Sequence, residues 1–266
     1  MSNIYAKFLA EHADTQINSI QSYLIEDQKV WLKKAAQRHS TWIYYPLQWF
    51  SKLLRLSMLA PVPNKGGEDA IACEVKRIQT LSKLGVHVPE ILAFQDNAIL
   101  LKDAAGQGQS IQQLERALSV QKDASLRLAL LEKAILSLEH IHSQKNYLSE
   151  AFARNILVDD QHNFSYIDFE TDPGLIHSLQ DCQTRDWLCF IFSTAHRFKV
   201  QELDSVTNLF IQSLSKHPKS FADICRVGRK LTWLLNIKPE KFGNDGKRLK
   251  KCITLLKLLN DRIQIT

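Results

Sequence analysis

Glu150-Ala-Phe-Ala-Arg-Asn-Ile-Leu-Val158, followed by Tyr166-Ile-Asp-Phe-Glu170, is the stretch from which the rest of this chain is read. Ile156-Leu-Val158 and Tyr166-Ile167 are strand formers on either side of a polar turn, Asp159-Asp-Gln-His-Asn163, so two short strands over 155–158 and 164–169 are expected. Asn155 and Asp168, thirteen positions apart, then fall at the same end of one ribbon. An amide oxygen and a carboxylate held by rigid strands suit Mg²⁺, a hard cation that takes oxygen ligands and keeps several waters. Nucleotide phosphates would complete such a site. The plainer alternative is a hairpin with an Asn cap and a solvated Asp.

The bulk composition narrows the surroundings. With 266 residues, 45% of them hydrophobic, the chain is long enough for one large core or two modest ones sharing a cleft. Charged residues at 23%, with only 9 Gly and 7 Pro, exclude a disordered or linker-rich design. A net charge of +6 favours an anionic partner, but no run of five like charges and no nucleic-acid module is present, so no nucleic-acid partner is expected. The five cysteines are odd in number, scattered and without a C-x-x-C pair, which reads as buried free thiols in a reducing cytoplasm. The first twelve residues lack a signal-peptide apolar core, and no apolar run is long enough to span a bilayer. Cytoplasmic localisation is expected, with any membrane contact peripheral.

Along the chain, Ser22-Tyr-Leu-Ile-Glu26 and Lys29-Val-Trp-Leu-Lys-Lys-Ala35 read as a hairpin turning at Asp27-Gln28. Residues 39–67 form an insertion whose part after Pro46 reads as an amphipathic helix. A helix is expected from about Glu68 to Leu84, ended by Gly85. Two strands, Val86–Phe94 and Ala98–Lys102, flank a polar turn, and Ala104-Ala-Gly-Gln-Gly-Gln109 reads as a linker. Helical periodicity follows over Ile111–Leu118 and Asp123–His142, and helices alternate with short breaks from Thr184 onward. No nucleophile motif such as G-x-S-x-G appears, which argues against a hydrolase, and His140 and His142 read as structural. The expected fold is α+β and two-lobed, with a small sheet-plus-helix lobe over 1–104 and a mainly helical lobe over 105–266 that carries the hairpin.

Together, these residues resemble the protein-kinase-like superfamily, and within it the bacterial branch of lipopolysaccharide core and Kdo kinases. The likeness runs from about Val30 to Trp187 and is strongest at Arg154-Asn-Ile-Leu-Val158 and Ile167-Asp-Phe-Glu170. In kinases the loop H-R-D-x-x-x-x-N is followed by D-F-G, whose Asp binds the metal with the Asn. The resemblance implies ATP and Mg²⁺ as cofactors, with Asn155 and Asp168 as metal ligands and Glu150 near the acceptor hydroxyl. It also implies Lys33, in Val30-Trp-Leu-Lys33, as the phosphate contact, with Glu74 as its ion-pair partner. Alternation along the strand leaves Lys33 and Lys34 open as alternatives. Leu101–Gly106 takes the hinge position, where backbone groups would hold adenine. Asp186 is expected to cap a helix, and by resemblance to brace the catalytic loop.

The chain departs from the pattern in three places. No G-x-G-x-x-G loop precedes Lys33, Glu150 stands where the catalytic Asp would be, and the 39–67 insertion separates Lys33 from Glu74. Two functions follow: an ATP-dependent phosphotransferase acting on a hydroxyl of a small or saccharide acceptor, related to lipopolysaccharide, or a pseudokinase that binds nucleotide or serves as a scaffold. Trp42, Tyr44, Tyr45, Trp49 and Phe50 beside Lys52 and Arg55 have the make-up of an interfacial helix, so residues 40–60 suggest peripheral contact with the inner membrane. The alternative is a helix that covers the sheet of the small lobe.

Overall fold

A computed structural model of the chain describes residues 4–35, 57–60, 62, 64, 66–105 and 110–263. The expected interfacial helix before residue 57 and the linker residues 106–109 lie outside the described residues. The fold is α+β, mostly helical with two small antiparallel sheets.

Helix α1 (Ile4–His12) leads into β1 (Ile20–Ile25) and β2 (Gln28–Lys34). Ile25 pairs with Gln28, so the turn is Glu26-Asp27 and not Asp27-Gln28 as the sequence suggested. Both turn residues have positive φ, 47° and 62°, as a two-residue hairpin turn requires to match the strand twist. Helix α2 (Gly67–Lys83) follows, then β3 (Ile91–Gln95) and β4 (Ala98–Lys102). The four strands run in the order β1-β2-β4-β3.

The faces of this sheet follow from strand periodicity. Val30 and Leu32 point one way, into an apolar cluster with Leu9 and Ala13 of the α1 region, Ala98 and Leu100. Each is fully buried, contributing about 1.5–3 kcal/mol, so a polar residue at either site would detach α1. Ile99 and Leu101 point the other way, toward Ile71, Val75, Ile78 and Leu81 of α2. Lys33 pairs with Ile99 and shares that second face. Helix α2 ends as the glycine predicts: Gly85 has φ 74°, Val86 N–H donates to the Leu81 carbonyl and Gly85 N–H to that of Ser82.

The second half comprises β5 (Ile111–Gln113), α3 (Leu114–Val120), α4 (Ala124–Ser143), β6 (Ile156–Asp159), β7 (Phe164–Tyr166), α5 (Leu179–Thr194), α6 (Leu203–Leu214), α7 (Pro218–Leu231) and α8 (Gly243–Ile263). Residues 111–113 are strand and not helix, because they pair with β6 through Ile111–Asp159 and Gln113–Leu157. Asp123 caps α4 by accepting the Leu126 N–H at 2.9 Å. Trp187, Phe190 and Phe210 pack edge to face at the centre of the helices. The inner face of α2 shares a single apolar cluster with these helices, so the two halves are packed against each other and not merely tethered.

Candidate active site

The β6–β7 ribbon sets the site. Ile156 pairs with Tyr166, and the Ile167 N–H donates to the Asn155 carbonyl at 3.0 Å, which brings Asn155 and the residue after Ile167 to one end. That residue, Asp168, has φ 72°, a left-handed conformation that costs a non-glycine residue on the order of 1–3 kcal/mol and clusters at functional sites. Asn155 is buried in a short helical turn, Ala153–Asn155, and its amide nitrogen donates to the Glu150 carbonyl at 3.3 Å, which leaves the amide oxygen for a cation.

Lys33 reaches this end of the ribbon from the sheet. Its ammonium lies 2.9 Å from Glu74, 3.0 Å from Asp168 and 2.9 Å from Glu170. Lys34, on the opposite face, donates instead to the Gln16 carbonyl at 2.9 Å, so of the two lysines it is Lys33 that pairs with Glu74. Burial alone would lower the Lys33 pKa, but the three carboxylates outweigh it and hold the ammonium well above the ordinary lysine value. Burial lifts the Glu74 carboxyl above its usual range; Lys33 opposes this, and Asp168 and Glu170 add to it. Three acids share one cation, and the excess negative charge is what a divalent ion would offset.

The loop before the ribbon is braced on both sides. Asp186, wholly buried, accepts the Leu148 N–H at 2.6 Å and meets His142 Nε2 at 3.1 Å, and the Ser193 hydroxyl accepts the Ala153 N–H at 2.9 Å. Asp186 is not a helix cap: α5 starts at Leu179, and its cap is Ser178, whose hydroxyl accepts the Asp181 N–H. Arg77, one turn beyond Glu74 on α2, donates to the Tyr147 carbonyl at 2.6 Å and stacks over the Tyr147 ring at 4.1 Å. Ser149, with φ 80°, turns the chain into Glu150. The Glu150 carboxyl is half-buried; burial lifts it above the usual range, Arg185 opposes this and Asp168 reinforces it.

Glu74, Asp168 and Lys33 are thus in direct contact. Asn155 joins them through the ribbon, and Glu150 through its carbonyl and through the electrostatics of its carboxyl. Three neighbours were missed from the sequence. Glu170 follows Asp168 by two residues, but the left-handed Asp168 breaks the strand alternation that would have assigned its side. Arg185, whose guanidinium holds the Met58 and Ala60 carbonyls at 2.7 and 2.8 Å, carries no motif signal, and neither does Asn64, which donates to Glu170 at 3.0 Å. These bonds fold the end of the insertion back over the site.

The expected hinge is tied to the Lys33 strand. Asp103 accepts the Trp31 indole N–H at 2.7 Å and pairs with Lys29 at 2.9 Å. No cluster of three His, Cys, Asp or Glu side chains arranged for a metal occurs among the described residues. The donors that fit Mg²⁺ are the Asn155 amide and the Asp168 carboxylate, with Glu170 beside them, an all-oxygen set of the kind Mg²⁺ takes together with water and phosphate. No helix among the described residues is long and apolar enough to cross a membrane. A scan against protein-family models finds no match, and no curated protein matches the chain.

Proposed function

We propose that this chain is an ATP-dependent phosphotransferase of protein-kinase-like fold, acting on a hydroxyl of a small or saccharide acceptor. The observation that carries the reading is the contact of Lys33 with Glu74, Asp168 and Glu170 across three separate segments, beside a loop that presents Glu150. When bound, Mg²⁺ would neutralise phosphate charge, held by Asn155 and Asp168. Lys33 would exchange part of its carboxylate shell for phosphate oxygens while Glu74 keeps it oriented. Glu150 would accept the acceptor's proton, a role for which its raised pKa is in the favourable direction. A lipopolysaccharide-related saccharide is the acceptor class that the resemblance favours.

A thermal-shift titration with ATP, with and without Mg²⁺, followed by an acceptor screen beginning with lipopolysaccharide core sugars, tests this reading. A rise in Tm that needs Mg²⁺ and disappears in Asp168→Ala supports it, and ATP turnover unchanged in Asp168→Ala would refute it. A pseudokinase is the second reading, favoured by the acidic turn Glu26-Asp27, which has no glycine amides to cover phosphates. A Mg-ATP shift without transfer to any acceptor would select it.

A further inference from the structure

A cavity of about 740 Å³ lies between the first turns of α8 and the segment that follows α5, and shares no lining residue with the Lys33 cluster. Lys247, Lys250, Lys251 and Thr254 recur at the spacing that places residues on one helix face, and they form one wall with Arg248. His196, Arg197, Val200 and Leu203 form the other. Five of the lining side chains are Lys or Arg, against one carboxylate, Glu240.

The cations are only partly answered. Lys250 pairs with Glu240 at 2.9 Å, and Arg197 with Glu115 and the Ser119 hydroxyl. Arg248 has a loose, exposed contact with Asp245 at 3.7 Å. Lys251 donates to a neutral partner, the Phe198 carbonyl, at 2.7 Å, and Lys247 meets no carboxylate among the described residues. Beyond these, Glu202 is the acid that acts on Lys251, and it is itself paired with Arg127. Lys247 and Lys250 stay exposed at the mouth while Arg197, Arg248 and Lys251 are partly buried in the concave wall, so the positive charge converges on one recess instead of spreading over a flat helix face.

We propose that this cavity binds a phosphate group carried on a larger organic body. Arginine forks and lysine point charges are the standard donors for phosphate. The volume lies within the range of roughly 300–1,000 Å³ typical of small-molecule sites, well beyond a bare phosphate, and the exposed Val200 offers an apolar surface for the remainder. Consistent with an unanswered positive potential, burial lowers the pKa values of His196, Arg197 and Lys251, and Arg248 lowers those of His196 and Arg197 further.

Calorimetric titration of the full chain with inorganic pyrophosphate, in EDTA so that Asn155 and Asp168 hold no divalent ion, tests the proposal, with co-sedimentation on phosphatidylglycerol and phosphatidylcholine vesicles alongside. The cavity variant is Lys247→Glu with Arg248→Glu. The control is Lys83→Glu with Lys122→Glu, an equal charge change on exposed residues elsewhere. Thermal melts verify that both fold. Pyrophosphate binding weakened at least about tenfold by the cavity variant alone assigns a soluble phosphate ester. Binding to phosphatidylglycerol alone, lost only in the cavity variant, assigns a lipid headgroup. Binding to neither, or equal losses in both variants, overturns the proposal. Because no nucleotide is involved, either outcome is independent of the phosphotransferase reading.

Discussion

Asp186 accepts the backbone N–H of Leu148 at 2.6 Å, joining the core of α5 to the loop that presents Glu150. The same oxygen meets His142 at 3.1 Å, so one buried carboxylate fixes both the end of α4 and the start of the loop. Replacing it with alanine strands a buried N–H. Asp186→Ala is expected to lose about 2–4 kcal/mol in urea unfolding, and Asp186→Asn, which keeps one acceptor oxygen, about half of that. Equal stability of Asp186→Ala and wild type would contradict the brace.

Lys33→Met removes the ammonium that, among the described residues, contacts all three acids. In the native protein the raised Lys33 pKa gives stability that is fully present below the unfolded lysine value and is lost only as pH climbs through the folded one, so it is constant between pH 5 and 8. Glu74, already raised, has the same sign: its contribution is present at low pH and falls as pH rises through its folded value. Without Lys33 that value rises further. The variant should already be less stable than wild type at pH 5, having lost the lysine's constant contribution, and the deficit should widen toward pH 8, to about 3 kcal/mol, as the further-raised Glu74 loses its own contribution, measured by urea midpoints. A deficit independent of pH would rule out the coupling.

If Glu150 is the base, it must be ionised to act, so the rate should fall as pH drops below its raised pKa, giving an acid limb above the ordinary glutamate range. Arg185 holds that pKa down, so Arg185→Met should move the limb to higher pH. Glu150→Gln should cost roughly 10²–10⁴ in kcat. A limb that stays in place in Arg185→Met would show that another group titrates.

Gly85 offers a backbone test that touches no site residue. Its φ is 74°, and a Cβ there would meet nothing within 4 Å, so Gly85→Ala isolates conformational strain at about 1–2 kcal/mol. A smaller loss on thermal unfolding would mean that the helix end relaxes.

What could be read from the residues, and what could not, has a physical pattern. The β6–β7 ribbon and the glycine stop of α2 were legible because local chemistry dictates them. Lys33 and Lys34 were not separable, because both faces of β2 are covered and only α1, which arrives from outside the strand, distinguishes them. Thr184-Arg-Asp186 looked like a helix start, although the helix begins a turn and a half earlier at an unremarkable Ser178. Ile111–Gln113 carried a helical pattern, but a distant partner strand claimed it. Glu170 and Arg185 owe their positions to tertiary contacts across more than a hundred residues, which no local pattern encodes.

Glu74 and Arg77 sit a single turn apart on α2, one fastened to the sheet and the other to the segment leading into Glu150. A rod pinned at two neighbouring points to two different bodies has no free hinge. Swinging it away from the lysine would also tear it from the tyrosine, so both attachments resist the same displacement.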